Sequence, residues 1–215
     1  MSIRLSRYLP TTPLDSLAAN DDTEADGPVR FYGMGMAGVA ANDDRVNVYN
    51  SDRPKEHINE AEKAKEFVQG YLTSAEGKLV QQYLRSKTGN IASIVEYNAG
   101  DLEQDGIVAA VVHDGKKGHF IVNTKNGKNL EDRTRMVDAE HDIGNVSYTA
   151  VYILLHELHH LAGYDENQIE PAVFDTAKYM AQQFPEGSPE REKYEAVAKI
   201  AAEREAGKQE YREAA

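Results

Sequence analysis

The sequence predicts an α+β fold in which a small twisted sheet packs on one buried helix. Three short segments with alternating β-branched residues, at positions 91–97, 107–113 and 119–124, predict the strands. One apolar stretch with the period of a helix, at positions 149–161, predicts the helix on which the sheet packs. Because the chain has 215 residues and 40% of them are hydrophobic, it is long enough to bury one core.

The order of these elements predicts one domain between two terminal segments. Residues 1–28 are rich in Asp, Thr, Pro and Ala, and this composition predicts a disordered N-terminal segment. Residues 29–187 form the predicted domain. Residues 188–215 predict a charged C-terminal helix that packs on the domain or extends from it. The apolar positions of that helix form one narrow seam, which predicts packing: Tyr194, Val197 and Ile200.

Loops and helices precede the first predicted strand. The glycine-rich stretch at residues 33–38 is typical of a flexible loop, because it lacks the strand–helix frame of a nucleotide site. Two helices are expected at residues 55–72 and 74–87. Thr88-Gly89-Asn90 is the expected stop after the second helix.

A hairpin and a long loop are expected between the first strand and the buried helix. Residues 114–118 read Asp-Gly-Lys-Lys-Gly and predict a hairpin between the second and third strands. His113 and His119 flank this turn and are expected at the surface. Residues 126–146 are polar and rich in Asp, Glu and Arg, and they predict a long loop over a cleft.

The most informative motif lies inside the predicted buried helix. The run His156-Glu157-Leu158-His159-His160 contains an H-E-x-x-H motif. Because His156 and His160 are about one helical turn apart, they share a face and can bind one Zn²⁺ ion. Glu157 then stands beside the open coordination position, where it can accept a proton from the metal's water. We therefore predict Glu157 as a general base.

A third metal ligand is expected after His160, because a catalytic zinc ion usually has three protein ligands. Gly163 can adopt the left-handed conformation that ends the helix and turns the chain back towards the metal. Glu166 follows three residues later and is the first choice for the third ligand. Glu170 is the alternative. The carboxylate that does not bind the metal can accept the free N–H of a ligand histidine.

The residues around these acids predict a second helix. Asp165 or Asn167 can cap a helix that runs through residues 172–180. His159 lies off the metal-binding face of the first helix. We therefore expect His159 either at the surface or beside a metal ligand, without binding the metal itself.

Residues 156–166 resemble the active-site signature of the zincin metallopeptidases. The resemblance implies a zincin-like fold, a zinc cofactor and hydrolysis of peptide bonds. The spacing from the motif to Glu166 is similar to the metzincin branch, which has His or Asp there, whereas a carboxylate from a following helix is typical of the gluzincin branch. The strand before the active-site helix of a zincin often lies at the sheet edge and pairs with substrate. Residues 119–124 are the candidate for it, with a plain core strand as the alternative.

Two further resemblances are weaker. The order of elements over residues 67–170 is similar to small effector-type zinc metallopeptidases delivered by bacterial secretion systems. The run H-x-x-x-H-x-x-G-Y-D also resembles zinc-dependent endoribonucleases of ribosomal RNA maturation. Those nucleases have His where Glu166 stands and a small residue where Glu157 stands, and both differences favour the peptidase.

Composition narrows the expected partners. The net charge of −12 and the pI of about 5.0 argue against a protein that follows a phosphate backbone. We therefore expect a protein or peptide substrate and no nucleic acid, with an endoribonuclease or a non-catalytic, zinc-stabilised binding protein as alternatives. No stretch is long and apolar enough to predict a membrane span, and the chain has no cysteine. Both a cytoplasmic protein and one secreted without a conventional signal peptide are compatible with this composition.

Overall fold

The computed structural model describes residues 30–33, 55–102 and 107–214. The predicted N-terminal segment and most of the glycine-rich stretch lie outside these residues. The described chain forms a small open sheet and six α-helices. In chain order the elements are β1 Arg30–Gly33, α1 Lys55–Thr73, α2 Ala75–Thr88, β2 Ser93–Gly100, β3 Ala109–His113, β4 Lys117–Asn123, a 3-10 turn Lys125–Gly127, α3 Leu130–Glu140, α4 Val146–Leu161, α5 Ile169–Ala181 and α6 Pro189–Ala214.

The sheet has the strand order β1-β3-β4-β2. The predicted hairpin is present, because β3 pairs antiparallel with β4, and β1 pairs antiparallel with the other side of β3. β2 pairs parallel with β4 and covers the side of β4 that the hairpin leaves open. β4 is therefore an interior strand. The prediction that residues 119–124 form an edge strand is wrong, and the core-strand alternative holds.

Helix α4 lies at the centre of the fold. It packs against β3 of the sheet and against α3, α5 and α6. Every residue from Val151 to Leu161 is buried, so α4 has no solvent-facing side over these three turns. The helix begins one turn earlier than predicted, where the side chain of Asn145 accepts a hydrogen bond from the Ser147 amide. The predicted packing of a small sheet on a buried helix is confirmed.

The region predicted as a long loop contains helix α3, so that prediction is wrong. Asn129 begins the helix with a capping box, in which its side chain and that of Asp132 bond each other's backbone amides. The helix buries Arg133, whose guanidinium donates to the carbonyl oxygens of Asn123 and Ile107. The helix begins with a local cap and its buried face includes a cation, and neither feature contributes to the apolar periodicity used to predict helices.

The C-terminal helix α6 packs along α5 and α4. Its predicted seam is buried, since Tyr194, Val197 and Ile200 are inaccessible to solvent. None of the described helices is long and apolar enough to span a membrane.

Candidate metal centre

Helix α4 brings both motif histidines and Glu157 into the core. The rings of His156 and His160 are 4.9 Å apart and meet edge to face. This is the arrangement expected for side chains one turn apart on one helical face. Both rings and the Glu157 carboxylate are buried.

The chain turns after α4 and returns to the histidines. Gly163 has a φ angle of 95°, in the left-handed region, and its amide donates to the carbonyl of His160. Three residues later, Glu166 Oε1 lies 3.3 Å from His160 Nε2. One ligand atom from each of His156, His160 and Glu166 lies within 4.8 Å of the others, and all three residues are buried. These residues form a group that could hold a metal ion.

The hydrogen bonding of His160 fits metal binding. Its Nδ1 lies 3.1 Å from the carbonyl oxygen of Tyr164. Because a carbonyl oxygen only accepts, Nδ1 carries a proton, and Nε2 is the ring nitrogen that faces Glu166. A lone pair and a carboxylate 3.3 Å apart repel each other unless a proton or a cation lies between them. The pair is therefore suited to share a metal ion.

Glu157 is the second feature that fits a metal with a bound water. Neither of its carboxylate oxygens has a hydrogen-bond partner among the described residues, although the side chain is fully buried. Burial, and then the negative charge of Glu166, raise the pKa of Glu157 well above its usual range. A buried carboxylate normally has a hydrogen-bonding partner, because removing it from water is costly. A water bound to a metal beside His156 would be such a partner.

Glu170 lies behind His156 rather than in this group. Its Oε1 is 3.6 Å from His156 Nδ1, and it accepts from the Tyr152 hydroxyl, 3.0 Å from Oε1 and 2.9 Å from Oε2. Burial opposes its ionisation, but His156, Arg204 and Lys208 outweigh burial and lower the pKa of Glu170 to about 2. Glu170 is therefore an anion placed to orient His156 from behind.

Two cations from α6 complete the surroundings of the group, and sequence reasoning missed both. Arg204 Nε is 3.4 Å from Glu170 Oε1, and Lys208 Nζ is 3.8 Å from the same oxygen. Lys208 also donates to the carbonyl oxygen of Glu166, at 2.7 Å. A signal for them exists in the sequence, because both continue the spacing of the predicted seam from Val197.

The remaining histidine predictions have mixed outcomes. His159 is fully buried on another side of α4, with Nδ1 2.7 Å from the Leu155 carbonyl and Nε2 2.9 Å from the Thr176 hydroxyl, so a surface position is wrong. His113 is also buried, as the last residue of an interior strand. His119 is partly exposed, with Nδ1 3.0 Å from Glu96.

The predicted helix after the turn is present as α5, but its cap differs from the prediction. Gln168 occupies the N-cap position and makes no side-chain cap bond. Asp165 instead accepts from the amides of Asn167 and Gln168 and so shapes the turn before the helix.

Comparisons of the chain with known protein families, with curated proteins and with solved structures find no match. The resemblance to zincins therefore depends on the motif and on the geometry of the group described above.

Proposed function

We propose that the protein is a zinc-dependent metallopeptidase with a zincin-like fold. His156, His160 and Glu166 are the metal ligands, and Glu157 is the general base. The observation that carries the proposal is the buried carboxylate of Glu157, without a partner among the described residues, one position along α4 from a buried histidine. Two imidazoles and a carboxylate are a ligand set of catalytic zinc sites, which keep a fourth position for water or substrate.

Zinc held by these residues would supply a water of lowered pKa and would polarise a peptide carbonyl. The chain's own part falls to Glu157, which accepts the proton of the attacking water and delivers it to the leaving amine. Glu157 directly follows His156 on helix α4. The base and the two histidine ligands therefore belong to one helix rather than to separate loops. Its burial also removes competing hydrogen bonds from bulk water.

A second candidate, a non-catalytic protein stabilised by zinc, is favoured by the burial of the group. His156, Glu157, His160 and Glu166 are only 1%, 0%, 0% and 8% exposed. Structural zinc sites are closed to solvent, whereas catalytic sites admit a substrate. The two candidates agree on the metal and differ in whether Glu157 carries chemistry.

The two candidates are separated by Glu157→Gln, which preserves volume but removes the proton acceptor. We expect zinc to stay bound while cleavage of a peptide library falls by roughly 10²–10⁴-fold, the usual share of general acid–base catalysis. The measurements are metal content and cleavage rate on the same preparations. Glu131→Gln, at an exposed position on α3, is the matched control and should leave both unchanged.

Two results would count against a peptidase that uses Glu157 as its base. Full activity in Glu157→Gln would refute the proposed mechanism. A wild-type protein that binds one equivalent of zinc but cleaves no peptide would favour the non-catalytic candidate.

The assignment of the metal ligands can be tested by replacing two adjacent histidines one at a time. His160→Ala should abolish zinc binding, because it removes a ligand, whereas His159→Ala should retain zinc, because that ring faces Thr176 instead. Both variants delete one buried imidazole, so each controls for the loss of packing in the other. Zinc content after dialysis is the measurement. Loss of the metal in the His159 variant alone would contradict the assignment.

A further inference from the structure

The C-terminal helix α6 has a buried stripe of side chains that are apolar at its start and cationic at its end. The stripe has the helical spacing of 3, 4, 3 and 4 residues, and each member is buried: Tyr194, Val197, Ala201, Arg204 and Lys208. The first three members are Tyr, Val and Ala and belong to the hydrophobic core. The last two are cations, and they lie where α6 passes the metal centre.

Buried cations are costly unless anions compensate them, so the end of this stripe needs a partner. The carboxylate of Glu170 is a partner that they share, with Oε1 3.4 Å from Arg204 Nε and 3.8 Å from Lys208 Nζ. Arg204 also lies over the ring of Tyr152, whose hydroxyl donates to the same carboxylate. Glu170 in turn stands 3.6 Å from His156. The contacts therefore run from α6 through Glu170 to a proposed metal ligand.

Lys208 makes a second contact, with the turn that carries Glu166. Its Nζ donates to the Glu166 carbonyl oxygen at 2.7 Å, in a buried hydrogen bond. The bonds of Asp165 to Asn167 and Gln168 fix the shape of this turn, but they lie within it. The bond from Lys208 ties the turn to another helix, 42 residues later in the chain.

We propose that Lys208 and Arg204 are positioning residues of the metal centre, through which α6 fixes both acidic neighbours of the histidines. Lys208 holds the backbone of Glu166 at the metal, and the two cations together hold Glu170 behind His156. This inference rests on the proposed metal ligands but not on peptide hydrolysis. The centre is then complete only when the last turns of α6 are docked.

The test is the affinity of the full chain for Zn²⁺, measured by competition with a chelator. Lys208→Met removes the donor and the charge but keeps the length of the aliphatic stem. We expect zinc affinity to fall by about 10–100-fold, the usual effect of losing a residue that orients a ligand. Lys208→Arg, which keeps charge and donors, should retain more affinity than Lys208→Met.

Lys199→Met is the matched control, on the same helix. Lys199 Nζ donates to the backbone carbonyl of His141 at 2.8 Å, so its bond is of the same type as that of Lys208. The loop that it holds carries no proposed ligand, and zinc affinity should stay at the wild-type value. Unfolding of each variant by urea in excess chelator measures the stability that each lysine contributes without metal.

The outcomes separate positioning from general stability. Zinc affinity lost in Lys208→Met and kept in Lys199→Met supports the proposal, whereas wild-type affinity in Lys208→Met overturns it. If Lys208→Met does not fold, Arg204→Met is judged by the same criterion, because it removes the other contact to Glu170. A wild-type chain that binds no zinc overturns the metal centre itself and this inference with it. Wild-type binding with unaffected variants overturns only the inference.

Discussion

His159 gives the fold a pH-dependent stability that one substitution should isolate. The ring is fully buried between α4 and α5. In its neutral form, Nδ1 donates to the Leu155 carbonyl, and Nε2 accepts from the Thr176 hydroxyl. Burial, aided by the nearby His156 and His160, lowers the pKa of His159 from 6.5 to about 4. The folded protein therefore takes up this proton only when the pH falls to about 4.

The direction and the size of the change in unfolding free energy with pH follow from the pKa values of His159 in the unfolded and the folded chain. The unfolded chain binds the proton near pH 6.5, whereas the folded chain binds it near pH 4, so unfolding takes up a proton between them. The stabilisation is fully present above pH 6.5 and is lost as the pH falls towards 4. At about 1.4 kcal/mol per pH unit, this interval corresponds to about 3 kcal/mol of unfolding free energy.

The assay is urea unfolding of the wild type and of His159→Gln at several pH values from 7 to 4. Excess chelator is present throughout, because proton competition at a bound metal would otherwise add to the slope. The variant is expected to be less stable at pH 7, because it loses the packing and the hydrogen bonds of the buried imidazole ring. Between pH 7 and pH 4 the wild type should lose about 3 kcal/mol more than the variant. Parallel stability curves would refute the assignment of a neutral, buried ring.

Two further predictions concern the third ligand and the packing of the first helices. Glu166→Ala should weaken zinc binding more than Glu170→Ala in chelator competition, because the first change removes a proposed ligand and the second an orienting group; the reverse order would make Glu170 the ligand. Gly77→Ala should destabilise the fold, because a Cβ there would collide with the carbonyl oxygen of Tyr71, whereas Gly70→Ala, with no atom within 4 Å, should stabilise it by up to about 1 kcal/mol in thermal unfolding.

The parts of the site that sequence predicted are those that depend on local spacing. His156 and His160 lie on one face because the helical period determines it, and any stable helix over this motif would bring them together. Gly163 has the predicted left-handed φ because the chain must leave the helix there. The turn then spans only three residues to Glu166, so its return to His160 is also a short-range event.

The predictions that were wrong depend on contacts between distant segments. The interior position of β4 follows from its parallel pairing with β2, and a hairpin sequence carries no information about a third strand beside it. Helix α3 was predicted as a loop because its inward-facing residues include Arg133 and Thr134 as well as Val137. An apolar periodicity cannot detect a helix whose buried face is partly polar.

The burial of Arg204 and Lys208 beside the proposed metal centre also depends on contacts between distant segments, and it was not predicted. In a sequence, charged residues near the end of a long helix are expected to be solvated, because burial of either charge alone is unfavourable. The Glu170 carboxylate, which lies within 4 Å of both cations, comes from another helix more than 30 positions earlier. Only the continued helical spacing from Val197 distinguishes them from the exposed charges of α6. In α6 the apolar seam continues into two cations that face the buried anion Glu170, and this anion borders the metal-binding group.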